Sequence, residues 1–251
     1  NRSFFCKFLD LFLSKPLITY IKPCKGILPK LEESDYIWIY PYFFYNYSNL
    51  LPRKKFIVTG CDCLSNVCTA RIGDLFYIRT FLRSIRQFII RRNCISLEKD
   101  FNNSNITMHY VGMADMMFYK RLHNADNAFF LLHPHYELKE KRIKFHTDKL
   151  DVLIAGEYNH YMISDTDEMV DELIRLNDLQ SRVRITFLGK GWENVKEKLI
   201  KYKYECEHKR WVDNYADEII KHDVQITPIS HGGGTKGKVL DSIGNGLLTI
   251  G

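Results

Sequence analysis

The chain has 251 residues, of which 45% are hydrophobic, and its 16 Phe and 15 Tyr exclude a disordered or fibrous protein. This length suffices for two domains with hydrophobic cores. The net charge of +6 is unevenly spread. Residues 1–150 contain 23 Lys and Arg against 13 Asp and Glu, and the remainder contains 13 against 17. No zinc-finger or RNA-recognition signature accompanies the basic half, so we expect no nucleic-acid partner.

The apolar stretch at residues 4–13 is interrupted by Lys7 and Asp10. It is too short to span a bilayer and has no signal-peptide cleavage site. The odd number of cysteines, seven, is typical of a reducing compartment, so we expect a cytoplasmic protein. Cys61, Cys63 and Cys68 cluster, but no fourth ligand lies nearby in the sequence, so we expect buried thiols rather than a zinc site.

The first half of the sequence predicts an α/β domain that is less regular than the second half. Buried strands are expected at residues 36–40, 55–59 and 128–132, and helices at 75–92 and 113–122. In RTFLRSIRQFIIRR, at 79–92, apolar residues recur at helical spacing and arginines take the other face. Such a helix commonly buries one face and exposes the other to water. It also suits an acidic partner, such as anionic lipid, a lipid-linked phosphate or nucleic acid.

The second half alternates strands and helices, which predicts a parallel sheet covered on both faces. We expect strands at 151–155, 182–188, 208–212, 223–228 and 247–250, and helices at 164–176, 193–203, 213–222 and 236–243. Ser164 is the expected N-cap of the first of these helices. The charged run at 137–149 is interpreted as a linker, which gives domains at 1–148 and 149–251. Both ends fall within predicted elements, so we expect the full-length protein to extend on both sides.

The stretch GGGTKGKVLDSIGNG, at 232–246, carries the main functional signal. A P-loop is excluded because Val239 follows Lys238 where a Ser or Thr is needed. A dinucleotide fingerprint needs an acidic residue about twenty positions on, which lies beyond the last residue. Bare backbone N–H groups at a helix start, with Lys236 and Lys238, nevertheless predict an anion site. Asp241, one turn further on, could accept two ribose hydroxyls, so we expect a nucleoside diphosphate.

Residues 228–251 resemble the nucleotide-sugar segment of group-1 (family 4-like) glycosyltransferases with the GT-B fold. Residues 153–160, 187–199 and 210–228 match further segments of that family in its order, and FIVTGCDCLS, at 56–65, resembles a strand and turn of its first domain. The resemblance implies an α/β protein with two Rossmann-like domains facing across a cleft. It also implies sugar transfer with retention of configuration and without a metal. Two departures stand out: Gly233 replaces a frequent glutamate, and Glu157 lies where a basic clamp is usual.

These arguments define candidate site residues. The candidate donor-binding residues are Gly156, Asn159, Trp211, His231, Gly233, Gly234, Thr235, Lys236, Lys238 and Asp241. His133 and His135 are candidates for a catalytic base or a sugar ligand, and Asp62 and Ser65 for acceptor binding. Asp165 and Asp167 form a D-x-D, interpreted as helix capping, so no metal is expected. The co-substrate would be a UDP- or GDP-linked sugar, with no further cofactor.

The expected activity is transfer of a hexose from this donor to a glycan or lipid-linked acceptor, in cell-surface polysaccharide or glycoconjugate synthesis. The basic first half would suit peripheral contact with the inner face of a membrane. Two alternatives stay open: a nucleotide-sugar epimerase of the same fold, and a degenerate module that binds the nucleotide sugar without turnover.

Overall fold

The computed structural model of the chain describes residues 11–70, 72, 78–132, 138–139, 148–159, 162–176, 178–230 and 236–251. The chain divides into two compact units. Within the described residues, the first unit runs to residue 132 and the second begins at Leu138. Leu138 and Lys139 therefore group with the second unit, although they precede the predicted boundary near residue 148.

The first unit contains a four-stranded parallel sheet in the order β1-β2-β3-β4. Its strands are β1 (Tyr36–Ile39), β2 (Lys55–Gly60), β3 (Ile106–Tyr110) and β4 (Ala128–Phe130). Its described α-helices are α1 (Leu28–Glu32), α2 (Tyr47–Leu50), α3 (Leu64–Ala70), α4 (Ile78–Phe101) and α5 (Met113–His123).

The two faces of this sheet differ. Alternate residues of the strands, among them Ile37, Val58 and Met108, form the buried core of the unit. On the other face Trp38 is 58% exposed, and its indole N–H donates to Thr59 Oγ1 at 2.7 Å. The predicted burial of this strand therefore applies to one face only, because side chains of a strand alternate between faces and one set here faces solvent.

Two elements of the first unit differ from the sequence prediction. Strand β3 was not predicted, although its burial pattern places four of its five residues inside. Helix α4 continues to Phe101, nine residues beyond the predicted end at residue 92. The extension contains Asn93 and Glu98, which are both about 1% exposed and so interrupt the apolar pattern on the buried side of the helix.

The second unit contains a five-stranded parallel sheet in the order β7-β6-β5-β8-β9. Its strands are β5 (Leu150–Ala155), β6 (Val183–Leu188), β7 (Glu205–Lys209), β8 (Val224–Ile226) and β9 (Leu248–Ile250). Its described α-helices are α6 (Ile163–Arg175), α7 (Glu193–Lys201), α8 (Tyr215–Ile219) and α9 (Gly237–Gly244).

Strand β5 confirms that this sheet is covered on both faces. Val152 and Ile154 belong to one hydrophobic cluster, whereas Leu153 and Ala155 belong to another. The predicted parallel α/β arrangement is therefore present. Strand β7 lies three residues earlier than expected, because it is an edge strand with partly exposed, polar residues and a weak periodicity.

The start of α6 corrects the capping prediction. The N-cap position is Met162, which makes no side-chain cap, and Ser164 lies inside the helix. At α8, by contrast, the Asn214 side chain accepts a hydrogen bond from the Asp217 backbone N–H at 3.2 Å. Among the helices that the structure describes, none is both long and apolar enough to cross a membrane.

Candidate functional site

The strand order of the second unit creates a switch point beside β5. The chain places β6 on one side of β5 and β8 on the other. All these strands are parallel, so their carboxyl ends lie at one edge of the sheet. Open α/β sheets bind ligands at the carboxyl edge where the strand order reverses. The candidate site is therefore at the end of β5.

A tight turn follows β5 at Gly156, whose φ is +119°. Its N–H donates to the Leu188 carbonyl, and its own carbonyl accepts from Trp192 Nε1, each at 2.8 Å. The next turn, after β6, begins at Gly189 with φ of +130°. A Cβ at Gly189 would lie 2.3 Å from the Gly156 carbonyl oxygen, so no other residue fits there without moving the backbone.

The loop beyond Gly156 is held by the same neighbours. The Tyr158 N–H donates to the Lys190 carbonyl at 2.9 Å, and the Tyr158 ring lies 4.9 Å from that of Trp192. Gly191 has a φ of +90°, and a Cβ there would approach Tyr158 to 3.3 Å. The glycines of the GKG stretch are thus needed because two loops pack closely against each other.

Lys238, in the first turn of α9, reaches this turn. Its Nζ donates to the Ala155 carbonyl oxygen at 2.8 Å, and a Cβ at Gly156 would lie 2.8 Å from the same Nζ. Burial and, to a smaller extent, the positive charge of the nearby Lys236, the N-cap residue of α9, together lower the pKa of Lys238 to about 8. The structure therefore brings Lys238 against Gly156, with Lys236 close enough to affect the pKa of Lys238.

The start of the glycine loop is attached to α6. The Asp165 carboxylate accepts hydrogen bonds from both the backbone N–H and the hydroxyl of Ser230, the latter at 2.9 Å. Asp165 does lie in the first turn of its helix, but its carboxylate binds another segment rather than capping that helix. In the described part of the chain, no three His, Cys, Asp or Glu side chains form a metal-binding group.

Asp241, the candidate for ribose binding, is buried in the structure. The residue is 5% exposed. Its backbone carbonyl accepts from the N–H and from Nδ2 of Asn245, at 3.1 and 2.7 Å. Residues 237–244 form an amphipathic helix, and Asp241 faces inward beside Ser242, which is also buried.

Two further donor candidates lie on loops. Asn159 is half-exposed, and its carbonyl accepts the Met162 N–H at 2.8 Å, which shapes the entry to α6. Trp211 is 74% exposed just after β7. The remaining candidates lie outside the described residues and stay predictions: His133, His135, His231, Gly233, Gly234 and Thr235.

The acceptor candidates follow β2. Ser65 is fully buried, and both its hydroxyl and its N–H donate to the Glu98 carboxylate, at 2.6 and 2.9 Å. Glu98 also pairs with His123 Nε2 at 2.9 Å. Ser65 therefore holds α3 against α4, and this placement corrects the expectation that its hydroxyl faces an acceptor. Asp62 is partly exposed in the turn before α3.

The cysteine cluster is divided by burial. Cys63 and Cys68 are buried, as expected, whereas Cys61 is exposed. The Cys68 and Cys94 sulfurs lie 3.9 Å apart, where α3 packs on α4. Cys63 Sγ donates to Glu98 at 3.3 Å. Two of the three clustered thiols thus serve packing.

The comparisons with known proteins identify the fold. No protein-family model and no curated protein matches the sequence. Among solved structures, HepE from Anabaena, in complex with UDP and glucose, matches with a TM-score of 0.53 and 10% identity, over 89% of this chain and 60% of that one. TarM matches with a TM-score of 0.51 and 12% identity, over 89% of this chain and 38% of that one.

WaaG, a glycosyltransferase involved in lipopolysaccharide biosynthesis, also matches, with a TM-score of 0.51 and 12% identity over 82% of this chain and 62% of WaaG. The chain thus spans between 38% and 62% of the length of these proteins. At such identities the similarity establishes the fold alone. With two parallel α/β sheets and these structural neighbours, the chain has the GT-B fold.

Proposed function

We propose that the protein is a glycosyltransferase that moves a sugar from a nucleoside diphosphate to a glycan or lipid-linked acceptor, in cell-surface polysaccharide or glycoconjugate synthesis. The observation that carries this proposal is the position of Lys238 Nζ, 2.8 Å from the carbonyl oxygen at the end of β5. A primary amine at a sheet switch point, beside a turn without a side chain, suits a phosphate group.

The proposed reaction depends on how the site stabilises the negative charge of the leaving diphosphate. When the bond between the sugar and the diphosphate breaks, negative charge develops on the leaving phosphate oxygens. Lys238, Lys236 and the backbone N–H groups of the first turn of α9 would stabilise that charge without rearrangement. A metal ion is then unnecessary, and Asp165 keeps its bond to Ser230. We further propose retention of anomeric configuration and a UDP- or GDP-linked donor.

The structural neighbours support the donor class. HepE was solved with UDP and glucose, and TarM from S. aureus, in a mutant form, with UDP and a GlcNAc-glycerol. The roles of His133 and His135 in catalysis, and of Asp62 in acceptor binding, remain part of the proposal. Asp241 would meet the ribose from a largely buried position, so its replacement would affect packing as well as binding.

The test is an incubation of the full-length protein with radiolabelled UDP- and GDP-sugars and a panel of glycan and lipid-linked acceptors. We expect release of nucleoside diphosphate together with a labelled product, and loss of both in Lys238→Met. The matched control is Lys201→Met, an exposed lysine at the end of α7. Conversion of the sugar without diphosphate release would indicate the epimerase, and binding without turnover would indicate the degenerate module.

A further inference from the structure

The first half of α4 contributes no described side chain to the hydrophobic core cluster of its unit. A helix of 24 residues is about 36 Å long. Among its described side chains, Leu97 and Phe101 alone belong to the hydrophobic core cluster, and both lie in its last two turns. The helix packs chiefly against α3, with smaller contacts to α5 and β3. Packing in this core therefore does not explain the apolar residues in the earlier turns of the helix.

Those apolar residues form an outward stripe. Phe81 is 42% exposed, Ile85 39% and Phe88 45%, and their spacing places them on one face of the helix. Phe88 precedes Leu97 by nine residues, which at about 3.6 residues per turn is two and a half turns. Because Leu97 points into the core, the stripe points away from it. Exposed aromatic and branched side chains aligned in this way mark an interaction surface.

The charged residues in this part of the helix are all basic. Five arginines lie between residues 78 and 97, and no acidic residue does. Among the described side chains, Arg92 continues the stripe one turn further and is exposed, as is Arg86 on its flank. The first acidic residue, Glu98, is buried and bonded to Ser65 and His123, so it does not neutralise this surface.

We propose that the α4 face, defined as Phe81, Ile85, Phe88 and Arg92 with Arg86 beside it, docks on an anionic lipid bilayer, with the helix lying in the plane of the interface. Apolar residues on one side and arginines around them are the features by which helices bind such interfaces. A nucleic acid would use the arginines but would leave the Phe and Ile side chains in water. This inference rests on the proposed function, because the bilayer is where a lipid-linked acceptor would be found.

The experiment measures sedimentation of the full-length protein with sucrose-loaded vesicles of phosphatidylcholine and phosphatidylglycerol in a 7:3 mixture, against pure phosphatidylcholine. We expect the wild type to bind the anionic vesicles better by about tenfold or more. Phe81→Ser with Phe88→Ser should reduce this binding at least about tenfold. Arg86→Gln with Arg92→Gln should reduce it about ten- to thirtyfold and weaken its dependence on salt.

The matched control is Ile200→Ser with Lys201→Gln, an exposed apolar and basic pair on α7, which should bind as the wild type does. Circular dichroism of each variant confirms that it is folded. Three outcomes would overturn the proposal: equal binding to both vesicle types, folded α4 variants that bind like the control, or α4-dependent binding to RNA in preference to vesicles.

A second measurement separates this proposal from the proposed function. The α4 variants should bind nucleoside diphosphate with unchanged affinity in calorimetry, since none of these residues belongs to the donor site. Lys238→Met should bind anionic vesicles like the wild type. Failure of diphosphate binding alone would refute the donor site, whereas failure of vesicle binding alone would refute the docking face.

Discussion

Lys238 Nζ lies 2.8 Å from the Ala155 carbonyl oxygen, so the first turn of α9 is bonded to the end of β5. These residues are 83 positions apart in the chain. The bond crosses the point at which the strand order of the second sheet reverses, and it holds a half-buried amine over a turn that has no side chain. This contact is the basis of the first two predictions.

Replacing the amine should weaken recognition of the diphosphate. Lys238→Met should lower affinity for a nucleoside diphosphate by about ten- to hundredfold, since a charge-assisted contact contributes about 1.5–3 kcal/mol. Affinity for the nucleoside alone should hardly change. Calorimetric titration with nucleoside, nucleoside diphosphate and pyrophosphate measures separately how the nucleoside and the diphosphate contribute to binding. Lys201→Met is the control. Lys236→Ala should act in the same direction. Unchanged diphosphate affinity in Lys238→Met would show that the donor site is elsewhere.

Diphosphate affinity should fall as the pH rises through about 8. Burial holds the pKa of Lys238 near 8, against an ordinary value of 10.5. The free protein therefore loses this positive charge above that pH, whereas a bound anion favours the protonated amine. Binding above pH 8 must take up a proton, at a cost of up to about tenfold in affinity per pH unit.

Titrations at pH 7, 8 and 9, in buffers with different ionisation enthalpies, measure both the affinity and the proton uptake. The terminal phosphate of the diphosphate loses its last proton at about pH 6–7, so the comparison of pH 8 with pH 9 reports the amine rather than the ligand. In Lys238→Arg the guanidinium stays charged, and the dependence on pH should disappear. A wild-type affinity that is constant from pH 7 to 9 would contradict this assignment of the amine.

Gly189→Ala should strongly destabilise the second unit. The new Cβ would lie 2.3 Å from the Gly156 carbonyl oxygen, at a φ of +130° that only glycine adopts readily. The backbone strain alone costs about 1–3 kcal/mol, and the clash adds to it. Thermal unfolding measures the loss. Gly26→Ala is the control, because its Cβ would meet only Cys24 Sγ, at 3.9 Å. Equal melting temperatures for the two variants would contradict the packing of the turns.

Transferase activity should persist in excess EDTA. The Asp165 carboxylate is occupied by the N–H and hydroxyl of Ser230, and this bond fixes the start of the glycine loop. Asp165→Ala should therefore reduce diphosphate affinity by releasing that loop, by up to about tenfold, and added manganese should not restore it. Loss of wild-type activity on chelation, reversed by manganese, would instead assign Asp165 and Asp167 to a cation.

The sequence predicted the second sheet well because its central strands are buried on both faces. Residues such as Val152 and Leu153 give β5 a continuous apolar run that leaves little alternative to a parallel strand. Strand β3 was not predicted because the polar residues Thr107 and His109 alternate with its apolar residues and the run is short. The end of α4 was not predicted because Glu98 interrupts the apolar pattern. Its burial depends on hydrogen bonds to other elements, and hydrophobic periodicity does not indicate such bonds.

The sequence could indicate which residues belong to the candidate site, but it could not indicate the hydrogen bonds that these residues make. Glycines and lysines at the start of a helix indicated an anion site, and the structure places Lys238 at the end of β5. Its partner, the Ala155 carbonyl, follows from the order of the strands, which local sequence does not contain. The same holds for Asp165 and Ser230, which are 65 residues apart. Gly189 carried a local signal, the GKG stretch after a strand, but its need for glycine comes from the neighbouring turn.

The close approach of Gly189 to the Gly156 carbonyl has a consequence for binding affinity. Because the two turns touch backbone to backbone, and the Trp192 indole bonds the same carbonyl, neither turn can shift alone. The conformational entropy of this part of the site is therefore lost when the unit folds, before any ligand arrives. Such preorganisation lowers the cost of association. Lys238 is bonded to the residue just before this paired turn, so a diphosphate would meet an amine that is already in position.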